Sequence, residues 1–80
     1  MDRSAVETKL TSIFREFFGE PALAISAATT AHDIKGWDSI AHVDLLLAVE
    51  QGFGINFTTR EMRSFKNVGD LIGAVAAKAG

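Results

Sequence analysis

Apolar positions along the chain recur with helical spacing, and no stretch shows sustained strand-like alternation. Val6, Leu10, Ile13, Phe14 and Phe17 share one helical face, which predicts a first helix from about Ala5 to Phe18. Ser4-Ala5-Val6-Glu7 has the form of a capping box, in which the Ser4 hydroxyl accepts from the Glu7 N–H and Glu7 reaches back. Gly19 is placed to end that helix, and Pro21 discourages its continuation. A long segment follows to Trp37. Its apolar residues, Ala22, Leu23, Ile25, Ile34 and Trp37, predict that it packs on the body.

The second helix is expected to start at Asp38 or Ser39 and to end near Gly52 or Gly54. At about 100° per residue its apolar positions fall into two sets. Leu45, Leu46, Val49 and Phe53 form a core face, with His42 above them. Ile40, Val43 and Leu47 fall on roughly the opposite side, bordered by Asp44, Glu50 and Gln51. A helix apolar on two sides is buried all round or offers one side to a partner. The bordering acids favour a partner, the alternative being cover from the long loop. Thr58-Thr59-Arg60-Glu61 is a second capping box and predicts a short helix presenting Met62 and Phe65. Asn67 caps a last helix with Asp70 in its first turn, Val68, Leu71, Ile72, Val75 and Ala76 towards the core, and Lys78 near its end. The fold class is all-α: three main helices, one short helix and a long first loop.

The 80 residues make one small domain, with no room for a deep catalytic cleft. A net charge of −2 gives no push towards nucleic acid or an anionic membrane. The absence of cysteine removes disulfides, thiolate zinc sites and cysteine nucleophiles, and suits a reducing cytoplasm. No apolar stretch is long enough to cross a bilayer, and the first residues do not read as a signal peptide.

Candidate chemistry centres on Gly36-Trp37-Asp38-Ser39-Ile40. An Asp-Ser pair at a helix start ordinarily does no more than satisfy backbone donors there. The wider pattern adds Val43, Leu46, Glu50 and the ending Gly52-Phe53-Gly54-Ile55. Together with the helix order, this resembles the acyl carrier protein family over nearly the whole chain, residues 1–80 read as a single carrier domain. The family pattern is close to Gly-x-Asp-Ser-Leu, an acidic apolar helix, and Glu-x-x-Phe-Gly-Ile. The resemblance implies an acyl-carrier bundle in which Ser39 receives 4′-phosphopantetheine from coenzyme A. The thiol of that arm holds acyl intermediates as thioesters, which suits a chain without cysteine. A helix N-terminus also suits the phosphodiester, through its dipole and unpaired N–H groups.

By the same resemblance Asp38 helps position the transferase complex. Ile40, Val43 and Leu47 meet partner enzymes, with Asp44 and Glu50 as acidic contacts that steer encounter. The implied partners are a phosphopantetheinyl transferase and acyl-loading and acyl-processing enzymes. The protein is then a monomeric cytoplasmic carrier and not itself an enzyme, with no role for nucleic acid or membrane. The chain departs from the family in places. Ile40 replaces the usual leucine, Ala41 stands where fatty-acid carriers have an acid, and Gln51-Gly52 interrupts an acidic run. Arg60, Arg63 and Lys66 put positive charge near the third helix. These departures suggest a specialised pathway, such as polyketide, nonribosomal peptide or modified-sugar assembly, with fatty acid biosynthesis as the alternative.

Other readings are weaker. Ser39 and His42 are close enough on a helix to touch, but Asp44 points away, so a Ser-His-Asp triad is poor. His42 is better read as a partly buried histidine packing near the helix start, the functional alternative being a place at the mouth of a cavity where an acyl chain or the arm lies. His32, Asp33, Asp38 and His42 match no metal-ligand spacing. Trp37 is expected to anchor the loop end, and Arg60, Arg63 and Lys66 form a solvated face. A non-carrier interaction module using Ile40, Val43 and Leu47, and a small DNA binder, complete the alternatives.

Overall fold

The computed structural model describes residues 2–79 and contains α1 (Arg3–Phe18), α2 (Ser39–Phe53), α3 (Thr59–Ser64) and α4 (Val68–Ala79). A single 3₁₀ turn, Ala31–Asp33, interrupts the loop between α1 and α2. Among the described residues there is no strand, and the expected all-α bundle is the one observed.

The start of α1 differs from the expectation. The Ser4–Glu7 box does not form, because Asp2 is the cap and its carboxylate accepts from the Ala5 N–H at 2.9 Å. An ionised carboxylate also lies favourably at the positive end of the helix, which a serine cannot match. Ser4 therefore falls inside the first turn, where its carbonyl accepts from the Thr8 hydroxyl at 3.0 Å. At the other end Gly19 caps α1 in the left-handed conformation, as expected.

Val6, Leu10 and Phe14 of α1, Leu45, Leu46 and Val49 of α2, and Val68, Leu71, Ile72 and Val75 of α4 form the fully buried core. α1 packs against both α2 and α4. Its approach to α2 is close at Gly52, where a Cβ would lie 2.7 Å from Ile13 Cδ1. Phe53 and Ala76, expected in the core, are only partly buried at its edge.

The long loop lies on the body. Ile25, Ile34 and Trp37 are buried and Leu23 is half-buried, but Ala22 is exposed. The reason is a turn: the Leu23 N–H donates to the Glu20 carbonyl at 3.0 Å, which puts Pro21 and Ala22 at a solvent-facing apex. Further along, the carbonyls of Ala27 and Thr29 accept from the N–H groups of Gly69 and Val68, both at 2.8 Å. These are first-turn donors of α4 that have no helical acceptor. Asn67 takes another, accepting from Asp70 at 2.8 Å. Loop and side chain thus cap α4 together.

Both halves of the Thr58–Glu61 box form. Glu61 N–H donates to the Thr58 hydroxyl at 3.1 Å, and Thr58 N–H donates to the Glu61 carboxylate at 2.8 Å. The same carboxylate pairs with Lys78 at 3.0 Å and ties α3 to the last turn of α4. Met62 and Phe65 turn inwards and are partly buried.

Candidate functional site

The backbone around Ser39 is fixed on both sides. Gly36 has φ +94°, a conformation that disfavours any side chain, and it swings the chain so that Trp37 turns inwards. The indole is buried edge-on against Phe14, with ring centroids 5.4 Å apart. Trp37 is thus the anchor of the loop end. Asp38 is extended and caps α2. One carboxylate oxygen accepts from Ile40 N–H at 3.1 Å and Ala41 N–H at 2.8 Å, while its carbonyl accepts from His42 N–H at 2.9 Å.

Ser39, the first residue of α2, is exposed, and its hydroxyl makes no hydrogen bond among the described residues. It is a nucleophile-bearing side chain on a rigid base, open to an external reagent. The expectation of unpaired N–H groups for a phosphate needs correction, because Asp38 already occupies those of Ile40 and Ala41. What remains for an anion at this helix end is the dipole together with the Ser39 N–H, which has no acceptor among the described residues.

His42 is a strut, not a base for Ser39. The Trp37 Nε1–H donates to His42 Nδ1 at 3.1 Å, which places the imidazole hydrogen on Nε2. That nitrogen donates to the Met62 carbonyl at 2.9 Å. Met62 lies in the last turn of α3, where carbonyls lack helical donors. One ring therefore joins the loop end, α2 and α3, and neither nitrogen is left to activate Ser39. Among the described residues no His, Asp and Glu group is arranged to hold a metal.

On the outer side of α2, Ile40, Val43 and Leu47 are exposed by 78%, 49% and 46%. The long loop does not cover them. Asp44 and Gln51 are exposed beside this stripe. Glu50 is half-buried and accepts from the Phe57 N–H at 2.7 Å, so it also pins the turn between α2 and α3. Sequence reasoning missed this bond, since its partner is a backbone group seven residues away.

A groove of about 750 Å³ opens beside Ser39, between the 3₁₀ turn, the start of α2, α3 and the start of α4. Trp37, His42, Met62, Phe65 and Leu71 supply much of its lining. Arg63 and Lys66, expected as a solvated face, are exposed and also line the groove. Arg60 is exposed elsewhere on α3.

Comparison with known proteins gives a consistent result. The family model for the phosphopantetheine attachment site matches residues 8–75. The chain is 31% identical to the acyl carrier protein MbtL of Mycobacterium tuberculosis, over 94% of this chain and 89% of the relative. It is 26% identical to an acyl carrier protein of Acidothermus cellulolyticus, over 95% and 90%. The solution structure of a holo acyl carrier protein from Geobacter metallireducens superposes with a TM-score of 0.85 at 37% identity, covering 91% of this chain and 84% of that one.

Proposed function

The chain belongs to the acyl carrier protein family, and on that premise we propose that Ser39 is the residue to which 4′-phosphopantetheine is attached. The observation that carries this is the exposed Ser39 hydroxyl, unpaired among the described residues and held between a buried Trp37 and a capped helix. The residues present fit the group: the hydroxyl is accessible, the helix dipole favours an anion, and a groove lies alongside. When attached, the arm supplies the thiol that holds acyl groups as thioesters.

Residues 1–80 form a single carrier domain in this reading, and the protein serves other enzymes without catalysing a reaction of its own. Because His42 is committed to Trp37 and Met62, the base that takes the Ser39 proton comes from the transferase. Asp38 holds the helix start and presents a negative charge beside the attachment point. Ile40, Val43 and Leu47, with Asp44 and Glu50, receive the transferase and the acyl-loading and acyl-processing enzymes. The carrier works as a cytoplasmic monomer, and among the described residues no helix is long and apolar enough to cross a membrane.

For the pathway, the basic residues of the α3 region favour specialised assembly of polyketide, nonribosomal peptide or modified-sugar type. The similarity to MbtL is compatible with this, and the similarity to the Acidothermus protein keeps fatty acid biosynthesis as the alternative.

Incubation with coenzyme A and a broad-specificity phosphopantetheinyl transferase, followed by intact mass, tests the assignment. Wild type should gain one phosphopantetheine and Ser39→Ala none. No gain in wild type, or equal gain in the variant, overturns it. The exposed stripe alone supports a second reading, a helical interaction module without an arm. That reading requires Ser39→Ala to keep its partner while Val43→Asp loses it.

A further inference from the structure

The groove that opens beside Ser39 carries more positive than negative charge on its lining, the reverse of the molecule as a whole. The chain carries a net −2, yet Arg63 and Lys66 stand together on the wall of the groove. Among the described residues neither has an ion-pair partner; the ion pair seen in this part of the fold joins Lys78 to Glu61. Of the groove's own lining, Asp38 is the carboxylate, and it is turned to the N–H groups of Ile40 and Ala41. Asp70 accepts from the Lys66 backbone N–H at 3.0 Å, so that contact does not neutralise the ammonium. His42 offers no hydrogen outward, because its Nε2 is bonded to Met62. An apolar floor of Trp37, Met62, Phe65 and Leu71 thus meets two uncompensated cations.

From this arrangement we propose that the groove receives a short acyl group ending in a free carboxylate, and that Arg63 and Lys66 select it over an uncharged chain. The inference rests on attachment of the arm at Ser39. Its physical basis is simple. A plain alkyl chain would be matched by the floor alone and gains nothing from the cations. A carboxylate at the far end of the chain accepts charge-assisted hydrogen bonds from them while its methylenes lie on the apolar surface. The volume of about 750 Å³ is in the range that holds a small ligand. The phosphodiester of the arm is a second oxyanion within the same neighbourhood, so the test must separate the two sources.

The holo-protein is loaded with a glutaryl or a pentanoyl thioester, which have the same carbon number. Loading is verified by intact mass. Thioester hydrolysis is then measured against the corresponding free pantetheine thioester, and the ratio of the two rates gives the protection that the protein provides. Glutaryl should be protected about three- to fivefold more than pentanoyl, a size set by two partly exposed charge contacts. Arg63→Gln with Lys66→Gln should remove the difference, and Arg63→Lys alone should keep most of it. Both positions are exposed, and an unchanged helical circular dichroism spectrum confirms that the variants fold.

Equal protection of the two cargoes overturns the proposal while leaving the carrier function in place. If the side-chain NMR signals of Arg63 and Lys66 move fully on attachment of the arm and not further with glutaryl cargo, the cations belong to the phosphodiester and the proposal again fails. If the apo-protein gains no phosphopantetheine by mass, so that no holo-protein can be made, attachment itself is refuted and this inference falls with it.

Discussion

α2 and α4 draw on similar proportions of apolar residues but distribute them differently. In α4 the large ones, Val68, Leu71, Ile72 and Val75, are all buried, and the rest of the helix is glycine, alanine, Asp70 and Lys78. In α2 three large apolar residues are buried and three more, Ile40, Val43 and Leu47, face outwards. α4 is a helix whose composition is accounted for by the core. α2 carries an excess that the fold does not use. Such an excess on one face of a small protein is what the docking role proposed for Ile40, Val43 and Leu47 rests on.

Adjacent leucines break the comparison most sharply. Leu46 is fully buried and Leu47 is 46% exposed. Leu46→Ala should destabilise by roughly 2–5 kcal/mol, the cost of lost burial plus a cavity. Leu71→Ala in α4 should behave alike. Leu47→Ala should stay within about 0.5 kcal/mol of wild type. Urea denaturation followed by circular dichroism measures all three. The order should reverse for partner enzymes: Leu47→Ala, and more strongly Val43→Asp, should slow acyl transfer while the fold remains intact. A Leu47→Ala variant as unstable as Leu46→Ala would place the outer stripe in the core and remove the argument for docking.

The next largest effect is expected where α4 meets the loop. A Cβ on Gly69 would lie 2.9 Å from the Ala27 carbonyl oxygen and 3.2 Å from Asn67 Oδ1. The backbone cannot yield cheaply there, since Gly69 N–H and Val68 N–H are both bonded to the loop. Gly69→Ala should cost roughly 1–3 kcal/mol through overpacking. Hydrogen exchange should show the amides of Val68 and Gly69 losing protection before those of the α2 core. Uniform loss across the molecule would contradict a local clamp.

These two sites show what sequence can and cannot reveal. Periodicity placed the faces of α2 and α4 correctly because it depends only on residue spacing along one helix. Thr58–Glu61 and Asn67–Asp70 were legible for the same reason, each pair lying three residues apart. Asp2 was missed as the cap of α1 because two good caps compete there, and the charged one lengthens the helix by two residues, Arg3 and Ser4. The Ala27 and Thr29 carbonyls, the Glu50–Phe57 bond and the His42 strut were not legible. Each joins groups whose meeting depends on the tertiary path, and three of the acceptors are backbone carbonyls that carry no residue signature.

Asp38 permits a smaller and more selective test of the α2 start. Asp38→Ala removes the acceptor of the Ile40 and Ala41 N–H groups and should cost about 1 kcal/mol. Asp38→Asn keeps an acceptor oxygen and should retain most of that stability. If the charge also serves the transferase, attachment to Asp38→Asn should slow while its urea midpoint stays near wild type. Parallel loss of stability and attachment in both variants would reduce Asp38 to a cap.

The smallest effect is expected at the tie between α3 and α4, which has no counterpart on the outer face of α2. The Glu61 carboxyl is held below its usual pKa range, first by the hydrogen bond from the Thr58 backbone and then by Lys78. Its folded pKa is therefore lower than its unfolded one. The stability it contributes is complete above the unfolded pKa and is lost as pH falls through the folded pKa. Glu61→Gln preserves an acceptor for the Thr58 N–H but has no carboxylate to protonate. The drop in urea midpoint between about pH 6 and about pH 3 should be smaller in Glu61→Gln than in wild type. Lys78→Ala should reduce the drop by less, because the Thr58 bond remains. If instead Lys78→Ala removes all of the difference, the ion pair and not the capping bond sets the acid sensitivity, and α4 owes its anchorage on this side to charge alone.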